Sequence, residues 1–255
     1  MRENNKKKRR KSKIIWLMLL LLCVTGVAVY LYSPYENDKK KKDGTTIPQL
    51  SQQKVEFTLL DITEFCGEPY VVINENIPFF SEVDINTNDY EVYSQLDDLG
   101  RCGTARAYVG EETMPTEERG EIGHIKPSGW NQAKYFGVVD SAPPYLYNRC
   151  HLIAFCLTGE NDNEKNLITG TRYLNVEGML PWEEKVAKYV DDTGNHVIYR
   201  VTPDFRDDEL LARGVLIEAY SIEDDGQGVC FCVYCYNVQP GVVIDYMTGE
   251  SWLDD

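Results

Sequence analysis

The feature that most constrains this chain is a run of 19 residues without a charged side chain, at positions 14–32. It follows a basic head, residues 1–13, that contains eight Lys and Arg side chains. At a rise of about 1.5 Å per residue, a helix of this length nearly spans a hydrocarbon core of about 30 Å. Because Lys and Arg resist translocation, we expect the head to stay in the cytoplasm. The pattern predicts a transmembrane signal anchor over residues 14–32, with a cleaved signal peptide as the alternative.

The rest of the chain divides into a tether and one large domain. Residues 33–53 are polar and contain two prolines and a glycine, which is typical of a flexible linker. Residues 54–255 are enough for one domain, which the anchor predicts to be extracellular. Residues 1–42 hold 12 Lys and Arg against 3 Asp and Glu, which leaves 14 against 38 for the remainder. So acidic a domain repels a polyanion at long range, which argues against a non-catalytic nucleic-acid-binding module but permits a hydrolase with a local cationic site.

The cysteines favour packing over metal binding. Seven of the eight lie outside the apolar run, so at least one of them is unpaired even if disulfides form. On a strand, Cys230 and Cys232 share one face and Cys235 takes the other, as core residues would. A zinc-stabilised binding module built on these three cysteines is the alternative.

Hydrophobic patterns predict an α+β domain with a mainly antiparallel sheet. A strand leading into a turn is expected over 69–80, a short helix within 84–99, and further strands at 102–109 and 134–139. Apolar residues recur at helical spacing over 171–190, where Pro181 is expected to kink the helix or to start a second segment. Three consecutive antiparallel strands then follow at 196–202, 215–222 and 229–238.

Two dense sets of polar residues carry the candidate chemistry. Arg149 and His151 lie in an apolar stretch, residues 147–155, where burying them is costly without partners. Asn166 and Asn175 belong to a second set that follows soon after. Phosphodiester hydrolysis needs a base to deprotonate water and positive charge to stabilise the phosphorane and the leaving oxygen. His suits the first task, and a hard divalent cation, which takes few protein ligands, suits the others. We interpret the two sets as one metal-assisted phosphodiesterase site.

This constellation resembles that of the DNA/RNA non-specific endonuclease family, which has a ββα-metal fold, and in particular the streptococcal-type, membrane-attached surface nucleases. The family pattern is Asp-Arg-Gly-His, then an Asn, a second Asn nine residues further on, and a Glu eight beyond that. Arg149 and His151 match its Arg and His, Asn166 and Asn175 match the two Asn, and Glu183 matches the Glu. The resemblance extends over about residues 67–250.

The resemblance implies a role for each matched residue. His151 would be the general base, and Asn175 the direct protein ligand to Mg²⁺, or to Mn²⁺ as an alternative. Asn166 would orient His151 or the phosphate, and Glu183 would hold metal-bound water. Arg149 is expected either to contact phosphate or to pair with an acid, and Arg172 is a further candidate for phosphate. The implied activity is that of an exported, membrane-anchored endonuclease acting on DNA, with RNA as a second substrate.

Two residues depart from the family pattern. Asn148 stands in place of Asp, and the loss of a carboxylate there is expected to lower the basicity of His151. Cys150 stands in place of Gly, where it would add bulk beside the site and be open to oxidation or disulfide formation. These departures motivate the alternative of a catalytically weak or inert nucleic-acid-binding or uptake module.

Overall fold

The structure, a computed structural model, describes residues 58–86 and 90–254. The predicted basic head, anchor and tether all lie outside the described residues. Within those two ranges, no helix is both long enough and apolar enough to cross a membrane.

Ten strands and three α-helices make up the described part of the domain. The strands are β1 (Tyr70–Val72), β2 (Glu91–Tyr93), β3 (Ala105–Val109), β4 (Tyr147–His151), β5 (Leu167–Thr171), β6 (Val197–Pro203), β7 (Gly214–Ser221), β8 (Cys230–Tyr236), β9 (Val242–Ile244) and β10 (Ser251–Leu253). The helices are α1 (Glu82–Ile85), α2 (Phe155–Thr158) and α3 (Leu180–Thr193).

Six strands form one antiparallel sheet in the order β1-β8-β7-β6-β3-β2. Its centre is the run β6, β7 and β8, which are consecutive in the chain and pair as successive hairpins. These are the three consecutive strands that the sequence predicted, and the α+β class with an antiparallel sheet is confirmed. The two edge strands are only three residues long, which limits the unpaired backbone that they expose.

The sheet buries both of its faces. On one face, alternate residues such as Tyr199, Ile217 and Phe231 pack against the helical side, where α3 contributes Val186 and Val190. The other face is covered by the chain between residues 58 and 80, whose apolar side chains pack on the intervening strand positions. Because strand side chains alternate between faces, the central strands carry apolar residues at nearly every position.

The candidate site lies on a separate strand–strand–helix unit. Strand β4 pairs antiparallel with β5, which brings His151 opposite Leu167, and the chain enters a helix directly after β5. The first part of that helix is a π-helical turn, Leu174–Met179, which continues without a break into α3. The helix ends at Gly194, whose φ of 67° closes the last turn in the left-handed conformation.

Two local predictions are wrong. The segment 134–139 is not a strand: only Lys134 pairs, in an isolated bridge to Tyr145, and Gly137 turns the chain with a φ of 79°. The helix expected within 84–99 corresponds to α1, which begins before residue 84 and is one turn long. Residues 91–93 instead form β2, because pairing with β3 gives their backbone groups partners.

The zinc-module alternative is also wrong. Cys230 and Cys232 lie on the sheet face that carries Arg200, whereas Cys235 points into the core on the opposite face. All seven described cysteines are free thiols. Across residues 58–86 and 90–254, no group of three or more His, Cys, Asp or Glu residues is placed to hold a metal ion.

Candidate active site

His151 is the last residue of β4 and is only 6% exposed. Its Nε2 lies 3.0 Å from the carbonyl oxygen of Asn161, and its Nδ1 lies 3.1 Å from Nη2 of Arg119. A carbonyl oxygen can only accept, so the ring proton belongs on Nε2, and Nδ1 keeps a free lone pair. Burial lowers the pKa of His151 to about 4, and the charge of Arg119 adds to this effect. At neutral pH the ring is therefore a neutral imidazole whose basic atom is Nδ1.

Arg119 is the residue of this site that sequence reasoning missed. The segment 111–121 is rich in acidic residues, a composition typical of a solvated surface loop. In the structure Arg119 comes from this irregular segment to contact His151, 32 positions further along the chain. A lone arginine in an acidic loop was the available signal, because such a side chain must find its partners elsewhere in the fold.

Asn166 holds the chain that follows His151. Its side-chain oxygen accepts from the backbone N–H of Ile153 at 2.8 Å, and its amide nitrogen donates to the Ile153 carbonyl at 3.0 Å. Its own backbone carbonyl accepts from the N–H of Leu152 at 2.8 Å. The side chain is 0% exposed, so it lies where it can fix the His151 segment and not where it can contact phosphate.

Asn175 and Glu183 lie eight residues apart on the helix that follows β5. On a regular α-helix eight residues turn through about 800°, or roughly 80° beyond two full turns. The π-helical turn, in which the Leu180 N–H bonds to the Asn175 carbonyl, adds one residue to a turn and removes about 100° of that rotation. The two side chains therefore project from nearly the same face of the helix.

Pro181 lies at a position where the helix tolerates a proline. A proline inside a regular helix lacks the N–H that would bond to the carbonyl four residues earlier, and its ring clashes there. Pro181 lies in the first turn of α3, directly after the wider π-helical turn. The prediction that Pro181 starts a second segment, as a first-turn residue, is therefore confirmed, and that segment runs on to Thr193.

Glu183 is an acid short of positive charge. Burial of its carboxyl group raises its pKa to about 8, and the charge of Glu184 raises it further. Arg119 is the cation that opposes this rise. The residue as a whole is partly exposed, whereas its carboxyl group is enclosed by protein. One more positive charge here would favour the ionised carboxylate.

A cavity of about 610 Å³ lies beside His151, and arginines line it. Eight arginines occur in the described part of the chain, and five of them form ion pairs with carboxylates. The paired arginines are Arg101, Arg106, Arg200, Arg206 and Arg213. The other three, Arg119, Arg149 and Arg172, form no ion pair with a described residue, and all three line this cavity. The three arginines without an ion pair therefore converge on one cavity.

Arg149 also has a structural role. Its guanidinium donates to the backbone carbonyls of Ile125 and Gly123, and it lies over the ring of Trp130, 4.1 Å from the centroid. These contacts fix the turn at residues 123–130 against β4. Arg149 pairs with no described acid, so its charge still contributes to the potential of the cavity.

The two departures from the family pattern lie in different surroundings. Asn148 lines the cavity, and its side-chain nitrogen is buried without a hydrogen-bond partner among the described residues. Cys150 is 0% exposed in the hydrophobic core, and burial raises the pKa of its thiol. The expectation that Cys150 is open to oxidation beside the site is therefore wrong, because its side chain is enclosed by the core.

The donor set beside His151 fits a hard divalent cation. Asn175 lines the cavity with a neutral amide, and Glu183, eight residues further along the helix, supplies a carboxyl whose pKa is raised by burial. Such cations take oxygen ligands and keep several waters, so two protein groups are sufficient.

Comparison with known proteins gives one family match and several relatives. Residues 81–223 match the DNA/RNA non-specific endonuclease family. A deoxyribonuclease from Streptococcus dysgalactiae subsp. equisimilis is 36% identical over 110 residues, a match that spans 41% of this chain and 32% of that relative.

Solved nuclease structures share the fold. NucA from Streptococcus agalactiae with magnesium bound is 26% identical, with a TM-score of 0.62, over 72% of this chain and 87% of that chain. The Sda1 nuclease with bound zinc is 29% identical, with a TM-score of 0.58, over 64% of this chain and 81% of its own. The family match covers more than half of this sequence and includes His151, Arg119 and Glu183. The chain belongs to the DNA/RNA non-specific endonuclease family.

Proposed function

We propose that this protein hydrolyses phosphodiester bonds of DNA at the cavity beside His151, without dependence on base sequence. The observation that carries the proposal is the convergence of the three arginines without acidic partners on a cavity next to a neutral, buried histidine. A phosphodiester is the anion that such a group of arginines recognises, through bidentate hydrogen bonds and charge. The deoxyribonuclease relative supports the same activity.

His151 is the general base of the proposed reaction. Its Nδ1 carries the lone pair that takes the proton from the attacking water, while the Asn161 carbonyl holds Nε2–H and stabilises the imidazolium that forms. Arg119 donates to this same Nδ1 in the structure. A phosphate in the cavity competes for the Arg119 guanidinium, which frees Nδ1 for water and raises the pKa of His151 through its negative charge. Substrate binding thus prepares the base.

Asn175 and Glu183 are the residues that would hold a divalent cation, which we propose to be Mg²⁺, with Mn²⁺ as an alternative. When bound, such a cation neutralises charge on the phosphate and on the leaving oxygen. The magnesium bound in NucA and the zinc bound in Sda1 support a divalent ion in this family. Glu183 would be ionised by the cation, and Asn166 would keep the His151 segment in position throughout.

We further propose that the nuclease domain, residues 54–255, is extracellular and that residues 14–32 anchor it as a single-pass segment with the basic head in the cytoplasm. The uncharged run of 19 residues after eight basic side chains supports this arrangement. RNA is proposed as a second substrate, because a site that binds phosphates and reads no base edges does not depend on the sugar for recognition.

The test is a nicking assay on supercoiled plasmid and on single-stranded RNA with the purified full-length chain. We expect cleavage with Mg²⁺, loss of cleavage with EDTA, and a loss of at least about 100-fold in His151→Ala, the scale of general-base catalysis. His196→Ala is the matched control, because His196 lies between Glu112 and Glu223, outside the cavity. Full activity in His151→Ala overturns the proposal. DNA binding without cleavage under any divalent ion would instead support the inert binding or uptake module.

A further inference from the structure

We propose that the cavity beside His151 holds one unpaired nucleotide, with its base against Tyr145, so that the protein acts preferentially on single-stranded or locally opened nucleic acid. The proposal rests on the proposed function and specifies the form of its substrate. It starts from the contrast between the two sides of the cavity, one cationic and one aromatic.

The cationic side is fitted to a phosphate. Arg119 and Arg172 line it without acidic partners, and Asn148 adds an amide whose nitrogen has no partner among the described residues. This side adjoins His151 through the contact between Arg119 and Nδ1. A phosphate bound here lies next to the base that activates water.

The aromatic side is formed by Trp130, Tyr145 and Tyr147. Tyr147 is 1% exposed, and one face of Trp130 is covered by Arg149. Tyr145 is more exposed than either, at 40%, although Lys134 lies over its ring, with Nζ 4.6 Å from the centroid, as Arg149 lies over Trp130. An exposed ring beside a cation is the arrangement on which single-stranded nucleic acids stack their bases.

The aromatic side is also held in place before any ligand binds. Gln132 donates to the Tyr147 carbonyl at 2.6 Å and accepts from the Tyr147 N–H at 3.0 Å, so the segment carrying Trp130 is fixed to β4. Lys134 forms an antiparallel bridge with Tyr145 itself. A preformed stacking surface loses little conformational entropy on binding, so more of the contact energy appears as affinity.

The volume of the cavity suits one nucleotide, and access to the Tyr145 ring requires that its base be unpaired. Its volume of about 610 Å³ falls in the range of about 300–1,000 Å³ typical of cavities that enclose small ligands. In a duplex the base faces are covered by neighbouring bases, and only their edges are accessible in the grooves. A base reaches the Tyr145 ring only when it is unpaired or turned out of the helix, which costs a few kcal/mol in duplex DNA. Stacking on a ring accepts every base, in keeping with a nuclease without sequence preference.

The test measures binding affinity with the full-length His151→Ala protein, because this variant leaves the bound oligonucleotide uncleaved. Fluorescence anisotropy gives the Kd for a labelled ten-nucleotide oligo-dT and for a blunt duplex of the same length. We expect tighter binding of oligo-dT, and Tyr145→Ala to weaken that binding by about 5- to 150-fold, the equivalent of losing one stacked base. Duplex binding should change by less than about twofold. Tyr145→Phe keeps the ring and should retain the affinity, and Tyr90→Ala, which removes another exposed ring, is the control.

Cleavage rates separate failure of this inference from failure of the proposed function. If the protein with His151 intact cleaves neither substrate, the proposed function fails. If it cleaves duplex as fast as oligo-dT, or if Tyr145→Ala lowers kcat/KM equally on both, the function stands and the stacking subsite is overturned. A selective loss on oligo-dT in Tyr145→Ala, with restoration in Tyr145→Phe, supports the subsite.

Discussion

Nη2 of Arg119 lies 3.1 Å from Nδ1 of His151, on the ring nitrogen that carries the free lone pair. The other ring nitrogen is held by the carbonyl of Asn161, so the basic atom of the site and its cation face each other. The same arginine opposes the raised pKa of Glu183. Arg119 therefore joins the proposed base, the proposed metal-binding acid and the phosphate-binding cavity.

Replacing Arg119 should weaken catalysis without unfolding the protein. Arg119→Ala removes a charge-assisted hydrogen bond to substrate, which contributes about 1.5–3 kcal/mol. We therefore expect kcat/KM to fall by roughly 10- to 150-fold. Because Arg119 lowers the pKa of His151, the acid limb of the pH–rate profile should also move to higher pH in this variant. Plasmid cleavage rates between pH 4 and 8 measure both effects.

Two further variants give the controls for Arg119. Lys188→Ala removes one positive charge from an exposed pair with Asp192 on α3 and should leave the rate unchanged. Arg119→Lys keeps the charge but loses the bidentate geometry, so we expect partial activity. Equal losses in Lys188→Ala and Arg119→Ala would mean that only net charge matters and would contradict the assigned contact.

The buried His151 should make stability depend on pH in a defined window. The free imidazole has a pKa of 6.5, whereas in the folded protein its pKa is about 4, so between these values the unfolded chain binds more protons. The free energy of unfolding should therefore decrease as pH falls from about 6.5 to 4, by up to about 3 kcal/mol from this group. Urea unfolding of the wild type and of His151→Gln across this range measures the difference, which should disappear toward pH 4.

His196 is the matched control for that measurement because its pKa shift has the opposite sign. Hydrogen bonds to Glu223 raise the pKa of His196, so its contribution to stability is present at low pH and is lost as pH rises through its folded pKa. The difference between the wild type and His196→Gln should therefore shrink on going to alkaline pH. The same direction of change in both variants would contradict the burial assigned to His151.

Parts of the fold were predictable because local patterns and tertiary packing agree. Runs of β-branched, aromatic and other apolar residues identified β6, β7 and β8, and helical spacing identified the helix that carries Asn175 and Glu183. Strand β5 was missed because only its first two residues are apolar, so that Thr169, Gly170 and Thr171 read as part of a polar stretch, although all five residues are buried. The π-helical turn that aligns Asn175 with Glu183 also has no pattern of its own, although Pro181 marks where a regular turn is unfavourable.

The candidate site was predictable only where its residues are close in sequence. His151, Asn166 and Asn175 lie within one strand–strand–helix unit, so their spacing carries information. Arg119 reaches the site through an irregular loop, and no periodic pattern specifies where such a loop leads. The surroundings of Cys150 were likewise not predictable, since whether a strand residue faces the core or the site depends on how the β4–β5 hairpin packs.

Asn166 should matter for stability through the backbone that it holds. Asn166→Ala leaves the N–H and the C=O of Ile153 buried without their partners, at a cost of about 1–3 kcal/mol for each unsatisfied group. We expect a clear loss of unfolding free energy in urea and a lower Tm, with reduced activity because the His151 segment loses its support. Asn163→Ala, which removes one hydrogen bond in the preceding turn, should cost much less. A stable but inactive Asn166→Ala would point to a direct catalytic contact instead.

Gly170 and Cys150 should behave as a coupled pair. A Cβ added at Gly170 would clash with Sγ of Cys150 and would lie 3.1 Å from Cδ2 of Leu174, so Gly170→Ala should destabilise the protein by about 1–3 kcal/mol. Removing the thiol in Cys150→Gly relieves the closer of these contacts. The double variant should therefore be more stable than additivity predicts, by about 0.5–3 kcal/mol in urea unfolding. Gly123→Ala, where an added Cβ meets nothing within 4 Å, should be nearly neutral. Additive losses would show that Cys150 is not what requires a glycine at position 170.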